Sequence, residues 1–414
     1  MNKDVQKGVA GQIYVQMLTA IILAAAAVPE AHAIGFLIPN QDAAAIARGN
    51  AFAATADNPS AIYYNPAGIT QLPGTDLQVG DLNYLGLNMR FKPDAGGPSE
   101  HTRFEVLPVP QIYATKSFEN IPLSLGLGVY APFGLGVKWP DGVGPNIRDY
   151  ALESKLTFIT VNPVLAYKIL PSLSIAAGPT INYAQLKFTR GLLSPTDFFR
   201  TVGDDFGLGA TAGILWQPLE KWSFGVDYKY FPEMNFGGHS SYTPVEHTPN
   251  ASVATTAKVQ FPQIFSGGIS FRPTPKWNIE VDVDYINWDS FNQLKLSGTS
   301  ALFGSDLALQ LNWKDSFQYK LGVTRLFDDG WYASAGYFYT SETTPDNLFT
   351  PAVPDTELHV GSVGFGRNCE HWHWAVAAQL IVGPQREIQS SPYAPAGKYQ
   401  LISPTLSFSV GYKF

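Results

Sequence analysis

The side chains best able to bind a metal ion lie close together near residue 370. Cys369, His371 and His373 share one parity, so in an extended chain all three face one side, with Trp372 and Trp374 opposite. Thiolate and imidazole are ligands for zinc and copper, but a spacing this tight across a turn is unusual for such a site. The sequence therefore predicts no metal centre here, and we expect hydrogen bonding to the N-terminal hatch, residues 34–75, instead.

The sequence lacks the grouping that a hydrolase needs, a nucleophile with a base and an orienting partner. His101, His239 and His247 fall in loop-like stretches, and no histidine stands in a recognisable nucleophile motif. The net charge of -7 comes without a basic stripe, which argues against nucleic acid as a partner. The sequence predicts neither an enzyme nor a bound cofactor.

The composition points to a membrane barrel. Only 15% of the residues are charged, while aromatic residues reach 13% and glycines number 38 in 414 residues. This mixture is unlike that of an ordinary soluble enzyme or a disordered chain. It is expected of a barrel with an apolar outer surface and a polar interior, whose two faces cancel in the mean hydropathy.

The first 33 residues have the features of a secretory signal. Lys3 and Lys7 precede an apolar run over residues 15–28, and Ala31-His32-Ala33 supplies a small-residue cleavage site. An uncleaved membrane anchor is the alternative, but the run is shorter than the roughly 20 residues that one crossing requires. We expect cleavage after Ala33 and export from the cytoplasm.

From about residue 76 onward, apolar and polar residues alternate in segment after segment. Aromatic and aliphatic side chains alternate with polar ones from Trp222 to Tyr230, and Glu280, Asp282 and Asp284 alternate with apolar residues. A period of two indicates strands, because successive side chains point to opposite faces of a sheet. A soluble sandwich would also alternate.

Three further features favour a barrel in the outer membrane of a Gram-negative cell. Aromatic residues cluster at strand ends, short and long connections alternate, and the chain ends on Phe414 within an amphipathic strand. We therefore predict an all-β fold, a fourteen-stranded antiparallel transmembrane β-barrel over residues 76–414 with both ends in the periplasm. The predicted strands cover 76–92, 104–118, 121–138, 153–170, 172–190, 207–218, 222–236, 257–272, 277–292, 315–327, 331–343, 357–368, 372–384 and 399–414.

Residues 34–75 do not alternate. Residues 41–55 are rich in alanine and could form a short helix capped by Asn40, and two Asn-Pro steps follow. Such a compact apolar segment before a barrel is expected to act as a plug inside the lumen. A flexible periplasmic leader is the alternative interpretation.

One stretch makes the sequence more specific. Residues 56–68, ADNPSAIYYNPAG, resemble the hatch signature of the FadL/TodX family of outer-membrane channels for long-chain fatty acids and other hydrophobic compounds. Weaker similarity continues along the mature chain at 162–168 (NPVLAYK), 183–190 (YAQLKFTR), 203–207 (GDDFG), 312–315 (NWKD) and 349–355 (FTPAVPD).

The resemblance implies a monomeric barrel closed by a small N-terminal helical hatch, residues 34–75. It implies passive uptake of a hydrophobic small molecule through an apolar pocket in the lumen, with lateral exit into the outer-membrane lipid at a kink in the third strand. Phe414 would serve as the signal to the barrel-assembly machinery. A barrel enzyme and a general porin are the alternatives, and a porin would need an open polar lumen.

The resemblance also suggests ligand-binding residues. The mature start, with Ile34, Phe36 and Leu37, would lie beside the ligand, although simple packing of the hatch against the wall is equally consistent with its apolar character. Lys187 and Arg190 match basic positions of the family, and a guanidinium could hold a carboxylate through two hydrogen bonds. The alternative is a pair of strand-end cations extended toward water or lipid headgroups.

Asn65, Pro66 and Ala67 are expected to shape the hatch rather than to contact ligand directly. Proline fixes one backbone dihedral, and the asparagine amide can bond nearby backbone groups.

Pro132, Gly134 and Gly136 mark the expected lateral gate in the third strand. Proline cannot donate a ladder hydrogen bond, and the glycines make a bend easier. The alternation from Leu123 onward puts Phe133 on the apolar face and leaves a face of small residues toward the lumen. A bulge that merely bends the wall is the alternative.

Overall fold

The structure, a computed structural model, describes residues 36–85, 88–103, 106–140, 145–192, 196–243 and 251–414. The predicted signal segment and Ile34 lie outside these residues. Within the described ranges, no helix is both long and apolar enough to cross a membrane.

Antiparallel strands account for most of the described chain and form one closed barrel. Several strands are interrupted once, so that two segments share one place in the wall. Fourteen strands result, as predicted. They are β1 (Thr75–Leu85 and Asn88–Pro93), β2 (Val106–Ser117), β3 (Leu123–Tyr130 and Gly134–Lys138), β4 (Glu153–Leu170), β5 (Leu173–Arg190), β6 (Phe198–Leu219), β7 (Trp222–Tyr230 and Glu233–Thr243), β8 (Ala251–Gln260 and Ile264–Phe271), β9 (Trp277–Ile286), β10 (Ser316–Leu326), β11 (Trp331–Thr340), β12 (Leu358–Asn368), β13 (Trp372–Ile388) and β14 (Gly397–Lys413).

The wall closes where the first strand meets the last. The register between β1 and β14 runs from Asp76 opposite Lys413 to Tyr84 opposite Thr405. Short turns join β2 to β3, β4 to β5, β6 to β7, β8 to β9, β10 to β11 and β12 to β13 at one end, and the long loops lie at the other. Pairing of the first strand with the last removes the two free sheet edges that a lipid environment would not tolerate.

Side chains alternate between the lumen and the outer surface. On β10, Gln318 and Lys320 are buried, whereas Phe317, Tyr319 and Leu321 are 40–51% exposed. The same alternation on other strands produces an apolar outer belt, which matches the hydrocarbon of a bilayer.

Strand ends differ from the prediction mainly at the long-loop end. β6 begins at Phe198 rather than 207, β7 and β8 extend to Thr243 and back to Ala251, and β13 continues to Ile388. Proline at 232 and 262 interrupts β7 and β8 without ending them, because neighbouring strands re-form the ladder on the far side. β9 instead ends early, at Ile286, where a 3-10 turn begins.

Smaller elements sit in the long loops. A hairpin of Gln293–Ser297 and Leu307–Gln310 encloses a short helix between β9 and β10. The helices of the described chain are α1 (Ala43–Ala47), α2 (Ala61–Tyr64), α3 (Pro145–Arg148) and α4 (Ser300–Phe303), with 3-10 turns at Pro66–Gln71, Trp288–Ser290, Asp328–Gly330 and Asp346–Leu348.

The N-terminal segment, residues 36–74, folds back into the lumen. α1, α2 and the 3-10 turn Pro66–Gln71 contribute almost only buried side chains. The wall carries glycine where this segment approaches most closely: a Cβ atom on Gly225 would stand 1.9 Å from the carbonyl oxygen of Ala53.

β3 is the irregular strand of the barrel. Tyr130 pairs with Thr160 of β4 and Gly134 pairs with Thr157, so three residues of β3 oppose two of β4. One extra residue reverses which side chains face inward. Phe133 was expected on the outer apolar face, and this expectation was wrong: its ring is buried in the lumen.

Gly225→Val should displace the N-terminal segment, because the added methyl groups would overlap the backbone of Ala53. Gly267→Val is the matched control. A Cβ atom on Gly267 would meet nothing within 4 Å, and Gly267 pairs with Val226, the residue after Gly225 on β7. We expect protease to cut the N-terminal segment of folded G225V barrels faster than that of wild type or G267V. Equal rates in all three would show that the close approach is not required.

Candidate ligand-binding site

Aromatic rings fill the lumen around Phe36. The Phe36 ring lies 4.8 Å from the Trp288 ring, 5.6 Å from that of Phe261 and 6.0 Å from that of Phe133, centroid to centroid. All these side chains are at most 4% exposed. Edge-to-face geometry dominates, as expected for rings packed by their quadrupoles.

An apolar cavity of about 80 Å³ lies between this cluster and the long-loop end. Phe36 closes it on one side, and the loop between β11 and β12 closes it on the other through Thr350, Ala352 and Val353. Leucine and phenylalanine side chains supply most of its wall, which therefore suits an apolar ligand rather than a polar solute. The wall includes Leu135, Leu156, Leu186, Phe188, Val259, Leu294, Leu296, Leu309 and Leu311.

A second cavity of about 140 Å³ shares Phe188, Leu296 and Leu309 with the first. Arg190 lies on its wall, together with Tyr150 and Tyr393. Within the described residues, no carboxylate lies at ion-pair distance from the Arg190 guanidinium. The second cavity thus places the Arg190 cation beside the apolar cavity.

Lys187 is oriented differently from Arg190. Its ammonium lies 2.7 Å from a carboxylate oxygen of Glu153 on the neighbouring strand. Lys187 also contributes to the lining of the apolar cavity, between Leu186 and Phe188. The two cations that the resemblance paired therefore border different cavities, and Lys187 is already paired with a carboxylate.

Acidic side chains of β9 hold the N-terminal segment inside the barrel. Glu280 accepts hydrogen bonds from the Ala54 N–H, at 2.7 Å, and from the Thr55 N–H, and it pairs with Arg48. Asp282 accepts from the N–H groups of Phe52 and Ala53 at 2.7 and 2.9 Å. Buried carboxylates persist when charge-assisted bonds replace water in this way.

The Asn-Pro-Ala step lies at the base of this segment. The Asn65 amide donates to the carbonyl oxygens of Ala53, at 2.7 Å, and Ile214 of β6, at 3.0 Å, and its oxygen accepts from the Ala67 N–H. Pro66 opens a 3-10 turn, where its missing N–H needs no partner.

At the β3 irregularity, the N-terminal segment replaces the neighbouring strand. The Ile38 N–H donates to the carbonyl oxygen of Pro132, and the Gly134 N–H donates to that of Phe36, both at 2.8 Å. The ladder between β2 and β3 runs only as far as Ile112 and Val129 within the described residues. Beyond this point Gly136 pairs with β4, and the end of β3 is bonded again on its other side where the Arg103 N–H donates to the Lys138 carbonyl oxygen at 2.8 Å.

Leu37 forms a bridge with Phe133, but it does not line the apolar cavity. It lies instead on a smaller and more polar cavity, which also includes Lys229, Asp284 and Lys320. Of the residues predicted at the chain start, Phe36 is the one that the structure places at the apolar cavity.

The possible metal ligands are not brought together. His373 points into the barrel, where its Nε2 lies 2.9 Å from a carboxylate oxygen of Asp76, whereas Cys369 and His371 are exposed. Hydrogen bonding to the hatch was expected, and this was wrong: the partner belongs to β1. The described residues contain no group of three or more potential acidic, histidine or cysteine ligands for a metal ion.

Several residues of the site were missed from the sequence. Phe133 was misplaced because a bulge cannot be seen in an alternation pattern, and Phe261 and Trp288 follow strand breaks at which the pattern stops. Thr350 and Val353 lie in a run that was noted only for its resemblance to the family.

Comparison with known proteins agrees with this geometry. Residues 23–383 match the sequence profile described as outer membrane protein transport protein (OMPP1/FadL/TodX). The chain belongs to the OMPP1/FadL/TodX family. It is an outer-membrane transport protein.

Individual family members are distant in sequence. The long-chain fatty acid transport protein of Escherichia coli O6:H1 is 23% identical over 73% of this chain and 76% of its own length. The 47 kDa outer membrane protein of Pasteurella multocida is also 23% identical, over 85% of this chain and 87% of its own length.

Solved structures share the fold. A FadL homologue from Pseudomonas aeruginosa superposes with a TM-score of 0.79 at 17% identity, over 92% of this chain and all of that one. The P. putida toluene transporter TodX gives 0.74 at 14% identity, over 91% and 99%.

Phe36→Ala should weaken the binding of an apolar ligand by roughly tenfold or more, because removing a buried ring leaves a void in the cavity wall. Phe206→Ala is the control, since Phe206 is 68% exposed on the outer surface. Binding of hexadecanoate to the purified barrel measures the effect, and heat-modifiable gel mobility reports folding. Unchanged affinity in folded F36A would reduce Phe36 to a packing role.

Proposed function

We propose that this family member takes up long-chain apolar molecules that carry an acidic headgroup. The observation that supports this most strongly is the apolar cavity beside Arg190. The cavity offers apolar walls for a hydrocarbon chain, and Arg190 offers a cation for a carboxylate. Relatives described as long-chain fatty acid transport proteins are consistent with such a ligand. TodX is described as a toluene transporter. A neutral hydrocarbon is therefore the second candidate ligand, because the apolar cavity alone would accept it.

The N-terminal segment acts as a hatch in this proposal. Its backbone N–H groups are bound by Glu280 and Asp282, and its side chains occupy the lumen, where they obstruct water and ions. Asn65, Pro66 and Ala67 shape the hatch through their bonds to Ala53 and β6. A general porin would need the opposite, an unobstructed polar lumen.

Ligand leaves sideways at the β3 irregularity. Pro132 and Gly134 use their free backbone groups on the N-terminal segment rather than on β2. The β2–β3 seam therefore lacks a ladder between the Ile112–Val129 pair and the hydrogen bond from the Arg103 N–H to the Lys138 carbonyl oxygen. An apolar molecule that passes through this seam reaches the bilayer without crossing water, which the hydrophobic effect favours. Gly136 adds no side chain to obstruct the bend. Ligand binding and lateral exit require no covalent chemistry. We propose that the protein acts as a monomer without a cofactor.

Arg190→Ala should weaken the binding of hexadecanoate and leave that of hexadecane nearly unchanged. The guanidinium supplies charge-assisted hydrogen bonds, each contributing about 1.5–3 kcal/mol, so a loss of roughly tenfold or more is expected. Lys187→Ala is the matched control, because its ammonium already pairs with Glu153. An equal loss for both ligands, or a larger loss in K187A, would remove the proposed role of Arg190.

Closing the β2–β3 seam should stop uptake but not binding. In a Cys369→Ser background, cysteines at Pro110 and Ala131 would be joined by a cleavable bis-maleimide. The same linker between Ile181 and Leu208 is the control, because these residues pair across an intact, exposed part of the wall. Cellular uptake of hexadecanoate should fall only in the first variant and recover when the linker is cleaved. Normal uptake with the seam linked would exclude lateral exit there.

A further inference from the structure

The loop between β11 and β12, residues 341–357, is the roof of the apolar cavity. Thr350 and Ala352 are at most 3% exposed and line the cavity together with Val353. Phe349 is buried against Tyr399 of β14, with ring centroids 4.6 Å apart. A ligand that enters from the long-loop end therefore has to pass this loop.

A single side chain from β13 connects the roof to the barrel wall at several points. The Arg386 guanidinium donates to the carbonyl oxygens of Thr344, at 2.5 Å, and Asp355, at 2.8 Å, and its Nε donates to the Asp346 carboxylate at 2.8 Å. Its charge also lies 5.2 Å from the centre of the Phe349 ring. The register of β13 shifts just before Arg386, and this bulge re-aims the side chain toward the loop.

The roof is internally braced, so it can move as one body. The Asp355 carboxylate accepts from the N–H groups of Thr343 and Thr344, at 2.6 and 2.8 Å, and from the Thr343 hydroxyl. These hydrogen bonds join the two ends of the loop. Prolines at 345, 351 and 354 further restrict its backbone.

The other bonds between the roof and the barrel lie mostly at the two ends of the loop. Ser341 exchanges two hydrogen bonds with Phe317 of β10, the Lys314 N–H donates to the Thr343 carbonyl oxygen, and the Tyr339 hydroxyl donates to the Glu357 carboxylate. The middle of the loop has two further bonds. The Ser391 hydroxyl donates to the Phe349 carbonyl oxygen at 2.8 Å, and the Trp139 indole donates to that of Pro351 at the long distance of 3.4 Å. The anionic partners of Arg386 are accessible to water: the side chains of Asp346 and Glu342 are 70% and 49% exposed. Water can therefore compensate these partners when the contact opens.

We propose that residues 341–357 are the outer gate of the ligand cavity and that Arg386 is the positioning residue that holds this gate shut. The inference rests on the proposed function, since it assumes that the apolar cavity receives ligand. Arg386 does not touch the cavity; it acts through the loop. Opening exchanges its bonds for water and exposes the chamber next to Arg190.

Binding kinetics distinguish a gate from a merely stabilising contact. The probe is 16-bromohexadecanoate, whose bromine quenches tryptophan fluorescence when it reaches Trp288 and Trp313 beside Phe36. Stopped-flow mixing with the purified folded barrel gives both rate constants. If Arg386 only stabilised the bound state, its loss would raise only the dissociation rate of the probe. If Arg386 holds the loop closed, its loss raises the association rate of the probe as well.

Arg386→Ala should raise the association and dissociation rates by roughly tenfold each, as expected for the loss of charge-assisted bonds that keep a gate closed. Arg386→Lys should give intermediate rates, because one ammonium group cannot reach all the acceptors that the guanidinium binds. Arg367→Ala is the control: this exposed arginine donates to the carbonyl oxygen of Asp329 at the short-turn end.

Tethering the roof provides the reverse test. Cysteines at Thr350 and Ser391, in the Cys369→Ser background and joined by a cleavable bis-maleimide, should lower the association rate by roughly tenfold or more until the linker is cut. Each single-cysteine variant treated with the same reagent serves as control. Unchanged association rates in both R386A and the tethered barrel, with normal binding by wild type, would overturn the gate. Failure of wild type to bind at all would instead overturn the proposed function.

Discussion

The site depends on one extra residue in β3. Three residues between Tyr130 and Gly134 oppose two residues of β4, and this single insertion has three consequences. It turns Phe133 into the lumen, it frees backbone groups that the N-terminal segment then binds, and it separates β3 from β2. A regular strand would keep Phe133 in the bilayer and leave Phe36 with neither its backbone partner nor one of its aromatic neighbours.

The lumen is divided into layers with different polarity. Toward the short turns, carboxylates of β9 bind the backbone of the N-terminal segment, and each charge is matched by N–H donors or by a cation such as Arg48. The aromatic cluster around Phe36 and Phe133 follows, then the apolar cavity, and finally Arg190. Buried charge is tolerated only where it is compensated, and the carboxylates toward the short turns meet this condition. Arg190, at the other end of the apolar cavity, has no carboxylate at ion-pair distance within the described residues.

Much of the fold could be predicted from the sequence because a barrel obeys a simple period. The fourteen strands, the alternating turn lengths and the inward face of Glu280, Asp282 and Asp284 all follow from period two. The irregular positions could not be predicted in the same way. A bulge changes parity without changing composition, so Phe133 was assigned to the wrong face, and the turn of Arg386 toward the roof depends on a second bulge in β13. His373 was assigned a partner in the wrong element because its contact with Asp76 joins strands that are distant in sequence.

The position of a bound ligand tests the central claim most directly. A crystal of the barrel grown with 16-bromohexadecanoate would locate the bromine by its anomalous signal and the carboxylate by its density. We expect the bromine beside Phe36 and Leu135, at the inner end of the apolar cavity, and the carboxylate within hydrogen-bond distance of the Arg190 guanidinium. Bromine density only on the outer surface, or a chain lying in the lumen with its carboxylate away from Arg190, would contradict the proposal.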